Sequence, residues 1–133
     1  MPVRVASLWI PGPLPGLNDL LDAAKGSGGR GMGYASLKRT WGEAVWAYAR
    51  SAGLHKAGPF AGPVRLRFEW REKDRRRDPD GFSSGGKKVI LDGLVQAGVL
   101  RGDGWRHVAG WEDCWCVDAA APGVLVEIRE VSP

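Results

Sequence analysis

Residues 75–103 read RRRDPDGFSSGGKKVILDGLVQAGVLRGD, a stretch that sets acidic, basic and glycine-rich chemistry around one apolar run. Val89, Ile90, Leu91, Leu94 and Val95 recur there at helical spacing, and Gly98 stands where a helix can stop in the left-handed conformation. The spacing predicts a helix over residues 87–98. Asp78 and Asp80 are separated by a single residue. In an extended segment, side chains two apart leave the same face, and Pro79 biases Asp78 towards extended backbone, so the two carboxylates are expected to converge on one point. Carboxylates gathered against their own repulsion need a cation, and oxygen ligands suit Mg²⁺ or Mn²⁺. Taken alone, the same D-x-D also reads as an ordinary turn. Lys87 and Lys88 fall in the first turn of the predicted helix, where cations oppose the positive end of the helix dipole. Lys87 reads as a solvated helix start. Lys88 lies four residues before Asp92, whose carboxylate can orient it.

Working outward, residues 64–70 alternate cleanly, with Val64, Leu66, Phe68 and Trp70 on one face and Arg65, Arg67 and Glu69 on the other. That is a strand with one packed face and one that meets water or a polyanion. Upstream, residues 3–10 read as a strand closed by the turn-forming Pro11, Gly12, Pro13, Pro15 and Gly16. Residues 18–25 read as a short helix capped by Asn18, and the glycine-rich residues 25–33 as a flexible loop. Ser36 is the expected cap of a further helix, with Leu37, Trp41, Ala44, Val45, Tyr48 and Ala52 at helical spacing and Gly53 as its stop. Downstream of the central stretch, residues 107–117 and 124–131 read as two strands joined by a turn at 119–123. Helices interrupting strands make the class α+β, a single domain over residues 1–133 with a mixed sheet carrying helices.

Composition narrows the partners. A chain of 133 residues is long enough to bury about two-thirds of its unfolded surface in one core. It contains no long apolar run and no signal-peptide pattern, so a cytoplasmic protein without membrane contact is expected. The net charge is +4, and the positive charge gathers between Arg65 and Lys88 and again at Arg101 and Arg106. A patch of this kind fits phosphate on a polyanionic backbone. Arg75, Arg76, Arg77, Lys87, Arg101 and Arg106 are the candidate DNA-contact residues. The two cysteines, Cys114 and Cys116, fall on one side of a strand and read as reduced, without zinc-type partners. Of the seven tryptophans, Trp9, Trp41, Trp46 and Trp70 read as packing residues. Trp111 and Trp115 fit a core or a subunit interface, and Trp105, on a glycine-flanked loop just after Asp103, reads first as support of that loop and second as a candidate DNA contact.

The central stretch resembles the RusA-type crossover junction endodeoxyribonucleases, and in particular their phage- and prophage-borne branch. The family pattern runs R-D-x-D-N, a spacer, a lysine four residues before the aspartate of an L-D-A-L-like helix, and a G-V-L turn before a further aspartate. Arg77, Asp78, Pro79 and Asp80 match the first element, Lys88 and Asp92 the second, and Gly98, Val99, Leu100 and Asp103 the third. Gly81 stands where the family usually has asparagine, and the spacer is longer than in the shortest relatives. The opening LWIPGPLPGLND, with Asn18, and the closing WCVDAAAPGVLVEIRE are similar to the family's first strand and last hairpin.

What the resemblance implies is a RusA-like fold and a Mg²⁺-dependent nuclease, with Mn²⁺ as an alternative ion, that resolves four-way DNA junctions as a homodimer inside a bacterial cell. It implies Asp78, Asp80 and Asp103 as metal ligands, and Lys88 as the residue that stabilises charge on the phosphoryl group or leaving oxygen. A catalytically silent binder of branched or duplex DNA is the alternative.

Overall fold

The structure, a computed structural model, describes residues 3–12, 14 and 32–131. Six elements follow in order: β1 (Val5–Pro11), α1 (Met32–Ser51), β2 (Val64–Glu72), α2 (Pro79–Gln96), β3 (Val108–Val117) and β4 (Gly123–Glu130). The four strands form one mixed sheet in the order β1-β4-β2-β3. β4 runs antiparallel to both β1 and β2, while β3 lies parallel to β2. The α+β class read from the sequence is the one observed. The expected helix at 18–25 lies outside the described residues, as does most of the 25–33 loop, whose last two residues already belong to α1.

Alternation along the strands sets one face of the sheet against both helices. Phe68 sits in register with Val126, and Val126 with Leu8, while Trp70 aligns with Val124 and Val124 with Ile10. All of these are buried, and they share one core with Val45 and Ala49 of α1 and Val89, Ile90 and Leu94 of α2. The opposite face carries charge, with Arg67 in register with Glu127 and 3.2 Å from its carboxylate.

Both helices end as the sequence predicts. At Gly53 and Gly98, φ is +76° and +79°, and the N–H of each following residue reaches back to a carbonyl five positions earlier, Leu54 to Ala49 and Val99 to Leu94. This is the Schellman arrangement that glycine permits without strain.

Both helices begin earlier than the sequence predicts. Ser36 lies inside α1 rather than capping it, because an exposed serine within a helix costs only a fraction of a kcal/mol. α2 begins at Pro79, with Asp78 as the extended N-cap residue at φ −78° and ψ 142°. Proline suits that first position, since its missing N–H has no helical partner there. The glycine and serine of the spacer are therefore helical, although their propensity is poor. Packing offsets this: Phe82, Ser83, Gly85 and Gly86 are all buried, and a Cβ on Gly86 would stand 2.6 Å from the Trp70 ring.

Two further expectations are corrected. Residues 108–117 and 123–130 do not form a hairpin, because β2 lies between them. β2 is buried at Val64, Leu66, Phe68, Trp70 and Glu72, and a neighbour on each edge is what keeps that strand covered. Trp46, read as a packing residue, and Tyr48, placed at helical spacing with the apolar residues, are 41% and 40% exposed, since Val45 and Ala49 take the buried face of α1 instead.

Candidate functional site

The early start of α2 decides where the charged residues stand. Asp78 occupies the N-cap position without a side-chain capping bond, and Asp80 lies in the first turn, where a carboxylate is favoured by the helix dipole. The pair is not arranged by strand alternation, as the sequence reading expected. Lys87 and Lys88 lie in the third turn, so the unfavourable dipole contact read for them does not arise.

Helical geometry then separates the two lysines. Lys87 turns inward, its side chain 12% exposed, and donates to Asp113 Oδ2 at 2.7 Å. Asp113 Oδ1 accepts from the indole N–H of Trp70 at 2.9 Å. The ammonium lies 4.6 Å from the Trp111 ring centre and 5.5 Å from that of Phe68, so cation–π attraction supplements the ion pair. The solvated role expected for Lys87 is thus corrected. Lys88 is exposed, and the carboxylate expected to orient it, Asp92, pairs instead with Lys38 of α1 at 3.1 Å. Asp92 faces the helix it packs against because Gly93 beside it lets α1 approach.

Asp80, Ser84 and Lys88 are spaced four apart and therefore share one flank of α2. Ser84, Lys87, Lys88, Leu91, Asp103 and Trp111 line a cavity of about 350 Å³ along that flank. Asp103 and Lys88 thus border the same groove without an ion pair between them. Asp78 opens towards the other end of β3, into a cavity of about 450 Å³ shared with Arg75, Phe82 and Trp115. Arg77 reaches into the protein, where its guanidinium makes two 2.8 Å bonds to the buried Glu72 and one to the Leu14 carbonyl. Arg75, Arg76, Arg101 and Arg106 are exposed, Arg76 lying 3.7 Å from Asp74.

Asp78, Asp80 and Asp103 offer oxygen donors in contact with solvent, the chemistry a hard divalent cation takes. They are not gathered into a cage. Among the described residues, no three His, Cys, Asp or Glu side chains stand close enough to hold a metal ion.

Two residues of this region escaped the sequence reading. Glu72 continues the alternation of β2 as the acid that ends its buried face. Asp113 falls between Trp111 and Trp115 on the inward-facing side of β3, and an acid at such a position requires a partner. Alternation was the available signal for both.

Cys114 and Cys116 lie on the opposite face of β3. Cys114 accepts from Arg67 Nη2 at 3.2 Å, and burial pushes its thiol pKa up, with the Arg67 charge opposing. Among the described residues, no helix is long and apolar enough to cross a membrane. Compared with known proteins, the chain matches no protein-family model and no curated sequence.

Proposed function

We propose that this chain is a metal-dependent endonuclease of the RusA kind that acts on four-way DNA junctions as a homodimer in the cytoplasm. The observation that carries this is the exposed flank of α2, where Asp80, Ser84 and Lys88 align and Lys88 and Asp103 border one groove. An acid-and-amine groove of this kind serves phosphate chemistry: the carboxylates hold a cation, and the amine meets the anion. Bound Mg²⁺, or Mn²⁺ in its place, would supply a deprotonated water and neutralise phosphoryl charge. Asp78, Asp80 and Asp103 are the residues that the RusA resemblance assigns to it; Asp78 and Asp103 face different cavities, so a shared ion would require them to draw together on binding. Lys88, solvent-facing and without an ion pair to any described residue, would stabilise charge on the departing oxygen. Arg75, Arg76, Arg101 and Arg106 are exposed and would serve as contacts for the DNA backbone, Arg75 from the cavity that Asp78 lines. The homodimer follows from the substrate, since two symmetric incisions require two copies of a small one-site domain.

The dispersed carboxylates favour a second reading, a silent binder of branched or duplex DNA. A synthetic four-way junction incubated with and without Mg²⁺ separates the two. The nuclease reading expects Mg²⁺-dependent paired cuts that Asp80→Asn abolishes while junction binding persists or tightens, because a repelling charge is removed. Calorimetry should show Mn²⁺ binding to the wild type that the same substitution weakens. Unchanged cleavage by Asp80→Asn removes Asp80 from the mechanism, and binding without cleavage by the wild type leaves the silent binder.

A further inference from the structure

Among the described residues, the outer edge of β3 has no strand partner, since β3 ends the sheet. Trp111 and Trp115 point to the face that elsewhere forms the core, in register with Leu66 and Trp70. Those two neighbours are 2% and 1% exposed, whereas Trp111 is 47% and Trp115 55% exposed. Among the described residues, the helices cover these two rings only in part, and Trp105, on the loop before β3, is wholly exposed. Large aromatic surfaces left open in a row mark an interaction site.

The row has cations at both ends. Trp115 and Arg75 line one cavity, and Trp111 and Lys88 line the other. Lys87 lies 4.6 Å from the Trp111 ring centre, and nearly half of that side chain remains open to solvent. Trp115 meets Phe82 edge-on at 6.5 Å, which holds its ring upright against the sheet. Two residues of a strand four apart stand about 13 Å from one another, so the rings form two separate platforms.

We propose that this edge binds single-stranded DNA, with unpaired bases stacking on Trp111 and Trp115 while the flanking phosphates meet Lys88 and Arg75. Aromatic platforms interleaved with cations are the chemistry that recognises unpaired nucleotides without sequence preference. A second copy of the chain fits the edge less well. Antiparallel self-pairing about Glu112 or Asp113, at the middle of β3, would set that acid against its own counterpart, and like charges directly opposite are destabilising. A base carries no charge, and its phosphate is drawn to the cations. The inference rests on the DNA reading of the groove and is independent of hydrolysis.

The test measures anisotropy of a labelled single strand and of a duplex of the same sequence, without divalent ions, on the full chain. Trp111→Leu and Trp115→Leu keep apolar bulk but remove the π face, and each is expected to weaken single-strand binding by about 10-fold with the salt dependence unchanged. Trp→Phe at either position should recover part of the loss, and duplex binding should hold. Trp46→Leu, on the outer side of α1, should change nothing. Equal losses on single strand and duplex, or no loss on either, would overturn the stacking site. So would a wild-type dimer in sedimentation that Trp115→Leu splits, which would give the edge to a second copy. No binding to any DNA removes both this inference and the nuclease, whereas tryptophan-dependent binding without cleavage removes the nuclease alone.

Discussion

Lys87 and Lys88 are consecutive, and a rotation of about 100° around the helix gives them different chemistry. The Lys87 ammonium completes a network in which both oxygens of Asp113 are satisfied, one by Lys87 and one by Trp70. Removing one member of a largely buried pair leaves the other without compensation, so Lys87→Gln is expected to lower unfolding free energy by about 1–3 kcal/mol in urea titration. Lys88→Gln, on an exposed side chain, should leave the midpoint unchanged. Equal stability of the two variants would deny Lys87 a structural role. The four-residue distance to Asp92 favoured Lys88 as the anchored lysine, but spacing along one helix does not reveal a partner on another. Asp92 finds Lys38 on α1 and Lys87 finds Asp113 on β3, contacts between residues far apart in sequence.

At the scale of elements, α2 is a helix built from poor formers and held by what surrounds it. A Cβ on Gly93 would lie 2.6 Å from Val45 and 3.1 Å from the Gly42 carbonyl, so α1 and α2 cross closely only because that position is glycine. Gly93→Ala should therefore push the helices apart and destabilise by about 1–3 kcal/mol. Gly81, in the first turn, has nothing within 4 Å of such a Cβ. There Gly81→Ala should stabilise by about 0.5–1 kcal/mol, through helix propensity and a less free unfolded chain. Opposite shifts in melting temperature check the pair, and same-sign shifts would refute the packing argument. The end of α2 was legible in its sequence, because Gly98 announces a local backbone need. Its start was not, because the turn containing Phe82 and Gly86 is stabilised by Trp70, a residue of β2.

For the molecule as a whole, His55 links stability to pH on the acid side of neutrality. Burial first, and then the charges of Arg50 and Lys56, hold the His55 imidazole below its ordinary 6.5. Its Nδ1 is buried with no hydrogen-bond partner among the described residues, a site tolerable for a lone pair and costly for an added N–H. The unfolded chain therefore takes up this proton more readily than the folded one, and stability is whole above about pH 6.5 and falls as pH drops below it. Thermal melts between about pH 7 and 5.5 should show that decline, and His55→Gln should flatten it; an unchanged slope in the variant would assign the decline elsewhere. By itself, the sequence determined the α+β class, the alternation of β2, the glycine stops of both helices and the concentration of charge around residues 75–103, since each is written in local periodicity or in one residue's backbone preference. Only the tertiary structure decided that β2 separates β3 from β4, that Lys87 is the inward lysine, that Asp78 and Asp103 face different cavities, and that Trp111 and Trp115 lie at an open edge. Strand order and side-chain partnership depend on contacts between distant segments, and no local pattern encodes which of several apolar strands will lie beside which.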